Sequence, residues 1–272
     1  MLSVCATPIG NLEDVTLRVL RELGEADVVL CEDTRRTRGL LTRHGIEARL
    51  LSYHRHNEAA RAAELVRRLL GGERVALVSD AGLPGVNDPG ARLIAGALEA
   101  GVPVTVLPGP SAVETALVAS GLVTDRYQFL GYLPRGAKAL GELWAELATW
   151  PFPAVAFESP KRLPATLGSL AAAAPERPVA VCRELTKRFE EVVRGSAAAV
   201  AERFAEPPKG EITLVLGPAS RDDSRGPDEQ VALGAVGELV AAGVPRRQAA
   251  DVVARLTRIS RNTLYRESLQ SD

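Results

Sequence analysis

Short apolar runs alternate with longer stretches of helical spacing through the first half of the chain. Residues 3–6, 28–31, 49–52, 75–79 and 104–107 are continuous apolar segments too short for helices, and they read as strands buried on both sides. Between them, residues 15–23, 34–43, 57–70 and 88–100 repeat their apolar positions at helical spacing. Asn57 and Asp88 stand as N-caps, Pro89 suits a first helical turn, and Gly24 and Gly71 suit helix ends. Such alternation predicts a parallel sheet covered by helices on both faces. A second unit starts near Tyr127, with strands at 128–131, 154–157, 179–183, 190–194 and 212–216 and helices at 138–148, 162–173 and 197–204. A polar linker at 219–228 leads to three short helical patterns at 229–241, 246–256 and 261–268.

Composition narrows the class. With 33 basic and 34 acidic residues among 272, the net charge is -1, which argues against a surface basic all over. The sum hides segregation. Acids dominate from Glu13 to Asp33, arginines from Arg35 to Arg68, and arginines again in the tail from residue 243. A basic face can therefore attract phosphate while the molecule stays neutral. No apolar run reaches the roughly 18–20 residues of a membrane span, and the start lacks a signal-like pattern. A soluble, cytoplasmic protein is expected. Cys5, Cys31 and Cys182 lie far apart in apolar surroundings and read as buried thiols. The histidines His44, His54 and His56 lack metal-ligand spacing, so no metal site is expected.

The chemistry must lie in loops. No G-x-G-x-x-G follows a strand, and Gly131–Gly136 fails as a phosphate loop because Ala137 stands where its lysine belongs. Three Gly/Pro-rich loops follow strands instead: 7–12, 79–90 and 108–112. Gly and Pro allow close backbone approach and hold a loop's shape. Ligands bind outside the carboxyl ends of parallel strands, so three such loops at one sheet edge predict a ligand cleft.

The motifs Ala6-Thr-Pro-Ile-Gly-Asn-Leu12, Cys31-Glu-Asp-Thr-Arg35, Ser52-Tyr-His-Arg-His-Asn-Glu58 and Pro108-Gly-Pro-Ser-Ala112 stand in the first unit with the 79–90 loop. Phe129-Leu-Gly-Tyr-Leu-Pro134, Glu158-Ser-Pro-Lys-Arg162, Arg183-Glu-Leu-Thr-Lys187 and Lys209-Gly-Glu-Ile212 follow in the second. In this order they resemble the ribosomal RNA small subunit methyltransferase I family of the tetrapyrrole-methylase superfamily, over about residues 1–217. The resemblance implies two α/β domains, the first with a parallel and the second with a mixed sheet, plus a helix-turn-helix-like C-terminal module. The expected bounds are 1–120, 121–218 and 228–272. It also implies S-adenosylmethionine as donor, a homodimer, and a cytidine ribose 2′-hydroxyl in the decoding region of small-subunit ribosomal RNA as acceptor. By family position Pro8, Asp80, Ala81, Gly82, Ser111 and Ala112 meet the donor from the first domain. Phe157 or Glu158, Glu184 or Leu185, and Thr213 meet it from the second. The best-known superfamily loop reads Gly-Gly-Asp-Pro where this chain has Ser79-Asp-Ala-Gly82, so those contacts can shift by a residue.

Methyl transfer to a hydroxyl needs in-line alignment and a group that removes or stabilises the proton. Polar residues at strand ends are the candidates: Glu32, Asp33, His54, Glu158, Arg183, Glu184, Lys209 and Glu211. The catalytic set expected is Glu158, Glu184, Lys209 and Glu211. Arg35, Arg36, His54 and Arg55, with Tyr53 and His56 beside them, are expected to hold RNA by stacking and phosphate contact. Plainer roles stand beside these: Glu32-Asp33 as a helix start, His54 as structural, Arg183–Glu184 as a local salt bridge, Lys209 as a loop charge. The tail is either a second RNA contact or a module that only packs on itself. The alternatives to an RNA methyltransferase are a tetrapyrrole or protein side-chain methyltransferase and a non-catalytic RNA-binding module.

Overall fold

Three or four mostly apolar residues span too little for a helix but enough to cross a sheet. In the computed structural model, which describes residues 1–219, 227–257 and 259–269, five such segments form a wholly parallel sheet. These are β1 (Leu2–Cys5), β2 (Val28–Cys31), β3 (Leu50–Ser52), β4 (Val75–Val78) and β5 (Val104–Leu107), in the order β3-β2-β4-β1-β5. Helices α1 (Leu17–Glu25), α2 (Thr34–Arg43), α3 (Glu58–Leu70) and α4 (Ala91–Glu99) cover it. Alternate strand residues feed two cores. Leu2, Val4 and Leu77 meet Leu65, Leu69 and Leu93 on one face. Cys5, Val29 and Val78 meet Val19, Leu23 and Leu40 on the other.

Three expectations need correction here. Strands β3 and β5 are the two edges: Val106 is exposed and no residue of β3 is fully buried, so neither strand is buried on both sides. Gly24 lies inside α1, which runs one residue further to Glu25 and has Ala26 as its C-cap. The N-cap of α4 is Gly90 and not Asp88: at φ 138° the backbone favours glycine, and a Cβ there would lie 2.9 Å from Leu77 Cδ2.

The second sheet is mixed, as expected. It orders β6 (Gln128–Tyr132), β7 (Ala154–Glu158), β10 (Ile212–Leu216), β8 (Pro178–Arg183) and β9 (Glu191–Ser196). Only β6–β7 is parallel. Helices α6 (Ala137–Leu147), α7 (Leu163–Ala173) and α8 (Ala197–Arg203) bury Trp144, Leu163, Leu167 and Val200 against one face. The other face receives α5 (Ala112–Ser120), a helix with no counterpart among the sequence expectations. Its Val113, Ala116 and Leu117 pack on Val155, Ala180, Cys182 and Val215. It follows β5 directly, so it ties the two sheets together.

Helices α9 (Pro227–Ala241), α10 (Arg246–Thr257) and α11 (Arg261–Ser268) enclose a small core of Ala232, Val236, Ala249, Val253 and Leu264. Ser260 caps α11, accepting from the Thr263 amide at 3.1 Å. Residues 220–226 of the expected linker and Arg258 of the tail lie outside the described residues.

Ala116 is fully buried between α5 and the second sheet. Ala116→Leu should overpack this seam and destabilise the protein by about 1–3 kcal/mol, measured by thermal denaturation. An unchanged melting temperature would mean the seam has room to give.

Candidate active site

The parallel sheet delivers its strand ends, and hence its three Gly/Pro loops, to one edge. These loops lock to each other through backbone. Thr7 N donates to Gly82 O at 2.8 Å, Gly82 N returns to Thr7 O at 3.0 Å, and Thr7 Oγ1 donates to Ser79 O at 3.0 Å. Asp80 Oδ1 accepts from Asp33 N at 2.9 Å, which pins the 79–90 loop to the start of α2. Asp33 itself caps α2 and chelates Arg35, and that guanidinium holds its carboxyl down at about 2. Arg36 Nε lies 3.9 Å from Asp80 Oδ2.

The facing wall comes from the turn after β8. Glu184 and Thr186 both hold positive φ, 54° and 65°, which non-glycine residues adopt at a cost. A local network holds them there. Lys187 Nζ donates to Glu184 Oε1 and Glu211 Oε2, each at 2.8 Å, and Glu211 N donates to Glu184 Oε1 at 3.0 Å. The Lys187 bond keeps the Glu184 carboxyl below its usual range. Burial pulls the Lys187 ammonium down, but its two carboxylates outweigh burial and leave it raised. Gly210, at φ 97°, lies against the Glu184 side chain with no space for a Cβ.

The walls touch at Gly10. A Cβ there would lie 2.6 Å from Lys187 Cγ and 2.8 Å from Leu185 O, and Asn11 N donates to Thr186 Oγ1 at 3.0 Å. Beside this contact opens a cleft of about 360 Å³. Residues 7–10, Leu12, Arg36, Thr37 and 79–81 line it from the first domain, Lys187 and Glu211 from the second.

Comparison with known proteins adds the decisive observation. Residues 1–201 match the family model of the tetrapyrrole (corrin/porphyrin) methylases. The ribosomal RNA small subunit methyltransferase I of Mesorhizobium japonicum is 44% identical over 273 residues, covering 99% of this chain and 91% of that protein. Its namesake in Synechocystis is 40% identical, covering 99% and 98%. The chain belongs to the ribosomal RNA small subunit methyltransferase I family. Among solved structures, a uroporphyrin-III C-methyltransferase from Thermus thermophilus, complexed with S-adenyl homocysteine, shares the fold. It has a TM-score of 0.55 at 22% identity and covers 81% of this chain and 99% of that one.

In this methyltransferase Pro8, Asp80 and Ala81 line the cleft, and Gly82 forms the backbone bridge behind it. Ala81, Ala112, Phe157 and Leu185 pack in the apolar cluster at the domain seam. Ser111 starts α5 there, and Thr213 is buried opposite Phe157 in the strand register. The catalytic set divides. Glu211 lines the cleft, and Glu184 reaches it through Lys187. Glu158 is enclosed in its own domain, accepting from Ser159 N and Thr166 Oγ1, each at 2.7 Å, with Arg162 at 3.2 Å. The Lys209 side chain is exposed, and only its carbonyl is engaged, by Arg183 at 3.1 Å. Arg183 pairs with Glu191 at 2.9 Å and not with Glu184.

Of the expected RNA contacts, Arg35 is 88% exposed, Arg36 lines the cleft, and Arg55 donates to Asn87 O. His54 is half-buried, 3.3 Å from Asn57 Nδ2, with its Nδ1 buried and unpartnered. Tyr53 is a correction: at 1% exposure it belongs to the core and offers no stacking face. Lys187 escaped the candidate set although its motif was evident, because only its two partners looked like chemistry.

Gly10→Ala should weaken donor binding, since all three clashing groups, on Leu185, Thr186 and Lys187, belong to the facing wall. Gly168→Ala in α7, where nothing lies within 4 Å, should leave it unchanged. Calorimetric titration of both variants checks this.

Proposed function

We propose that the protein transfers a methyl group from S-adenosylmethionine to the ribose 2′-hydroxyl of a cytidine in the decoding region of small-subunit ribosomal RNA. The observation that carries the reading is full-length similarity to relatives named for that RNA, combined with a two-walled cleft beside an Arg-rich stretch. The cleft suits the donor chemically. Its volume falls in the usual ligand range. Ile9, Leu12 and Ala81 offer apolar surface, while Asp80 and Thr7 offer polar groups for ribose or amino nitrogen. When bound, the donor supplies a methyl made electrophilic by its sulfonium. The protein's part is to align the hydroxyl with that methyl, exclude water and accept a proton.

Arg35, Arg38, Arg55 and His56 are exposed in the stretch that follows β2 and β3, and they fit a phosphate backbone. A tetrapyrrole macrocycle needs no such surface. A homodimer is supported by the exposed apolar side chains Val106 on the open edge of β5 and Val118 on α5. Among the described residues no helix is long and apolar enough to cross a membrane. A ribosomal RNA substrate supports a cytoplasmic reading.

Incubation with methyl-labelled donor and small ribosomal subunits, nuclease digestion and mass spectrometry should return 2′-O-methylcytidine. Label on a base, on protein or only on a tetrapyrrole would overturn the reading. Arg35→Gln combined with Arg55→Gln should lower RNA affinity at low salt. The slope of log K against log salt should flatten by about one unit for each phosphate that is no longer neutralised.

A further inference from the structure

The turn between β8 and β9, residues 184–190, carries a feature that the cleft itself does not use. Its backbone is tied at several points. Lys187 N donates to Glu184 O at 3.0 Å, Glu190 N to Lys187 O at 3.1 Å, and Thr186 N to Glu190 Oε2 at 2.6 Å. With Glu184 and Thr186 at positive φ, these bonds hold the turn in one shape. Arg188 and Phe189 stand exposed on it. The other four phenylalanines of the chain are buried or half-buried, whereas Phe189 is 66% exposed. Tyr132, nearly as exposed, leans edge-on against Phe157 at 5.6 Å, and Tyr127 bonds to Glu114. The group over Phe189 is the Arg188 guanidinium, 5.5 Å from the ring centroid and within cation–π range. A ring left in water on a rigid turn gains the fold little by burial.

The charges around the ring are sorted. The carboxylates are taken up within the wall: Glu184 and Glu211 by Lys187, Glu191 by Arg183 and Arg203, and Glu190 by the Thr186 amide. Arg183 also donates to Lys209 O at 3.1 Å, which sets Lys209 beside the turn. Arg188 and Lys209 are exposed and have no ion pair within 4.0 Å among the described residues. This part of the wall therefore presents a flat ring with two unpaired cations. Single-stranded nucleic acid is held by that combination, because bases stack on rings and guanidinium planes while cations meet phosphate. The position is also suitable. Lys187 lines the cleft, and Phe189 follows it by two residues, at most about 7 Å away between Cα atoms. Arg36 lines the same cleft from the opposite wall.

We propose that Phe189, backed by Arg188, is a stacking platform for an RNA base beside the acceptor nucleotide. The strand then bridges the mouth of the cleft, from the arginines of the first domain to this turn of the second. The proposal rests on the RNA reading above. A ribose hydroxyl enters a cleft between two walls only when its nucleotide leaves the stack of its neighbours, which costs unstacking energy. A ring at the rim gives the neighbouring base a new stacking partner. Phe189 thus binds substrate and touches none of the reacting atoms.

Steady-state methylation of small ribosomal subunits with labelled donor tests this. Phe189→Ala should raise the KM for subunits by about 5- to 100-fold, the range of one lost base–aromatic stack. Its kcat should stay within about threefold, because a contact made equally in the ground and transition states changes KM alone. Phe189→Trp and Phe189→Tyr should keep the parent KM. Phe189→Leu, apolar but without a flat ring, should behave like the alanine variant. The salt slope of subunit binding should stay unchanged in Phe189→Ala, since no charge is lost. Calorimetric titration should return the parent donor Kd in all four variants. If Phe189→Ala alone loses donor affinity, the comparison of Phe189→Leu with Phe189→Tyr decides. Ultraviolet irradiation of the parent with subunits should leave a nucleotide adduct on the peptide that contains Phe189. Parent KM in Phe189→Leu overturns the proposal, as does an adduct to a ribosomal protein in place of a nucleotide. So does a smaller assembly in sedimentation of Phe189→Ala, which would assign the ring to a second copy of the chain. In these cases the parent still methylates subunit RNA on ribose. If it does not, it is the functional reading that fails.

Discussion

Helix α5 belongs by chain order to the parallel sheet and by packing to the mixed one. Everything at the cleft depends on that divided membership. Val113, Ala116 and Leu117 bury against four strand residues of the second sheet, while Ser111, one residue before the helix, closes the loop after β5. Apolar burial without direction would allow the domains to slide. The close approaches limit this, because Gly10 leaves no space for a side chain against Lys187, and Gly131 is closely approached by the Asn87 side chain. The cleft lies between these rigid points, and its walls keep their separation.

The charges follow the same logic. Two carboxylates, Glu184 and Glu211, stand on the wall of the cleft formed by the second domain, and left alone they would repel each other. Lys187 bridges them at 2.8 Å on both sides and leaves Glu211, 62% exposed, as the outward-facing charge. On the opposite wall Asp33 is neutralised by Arg35, and Asp80 is held by an amide with Arg36 nearby. The walls of the cleft are thus acidic without being overcharged. The arginines left exposed by this pairing lie in the stretch read as RNA-facing, which is how a net charge of -1 coexists with a basic face.

Most of the fold was legible because its signals are local. The strands β2, β5 and β10 and the helices α2 and α11 occupy the segments expected from apolar runs and caps. What escaped is instructive in each case. Helix α5 carries apolar residues on its open side as well as its buried one, with Val118 69% exposed, and so it shows no clean stripe to read. Asp88 resembles an N-cap in sequence, yet the cap is Gly90, because only a glycine fits against Leu77. Tyr53 lies within a polar run of His, Arg and Asn, but it faces inward from the end of β3. The loops of the site were legible as loops. Which of their carboxylates is paired was not, because the partner of Glu158 is four residues away and that of Glu211 is on another strand's turn.

Local rules and the observed backbone disagree at few places, and those places cluster. The non-glycine residues with positive φ among the described ones are Asn87, Glu184 and Thr186. All three border the seam between the domains. Such conformations cost on the order of 1–3 kcal/mol each and persist only where the surroundings impose them. Here the imposing contacts are identifiable: Gly131 and Arg55 on Asn87, Gly210 and Lys187 on Glu184, Asn11 and Glu190 on Thr186. A half-buried Asp88 without an ion pair adds a further cost at the same edge. A sheet core as uniform as that of β1, β2 and β4, with every residue buried, can carry this load. Stability made in the two apolar cores is thus expended at the seam between the domains, where the named contacts hold the strained residues in place.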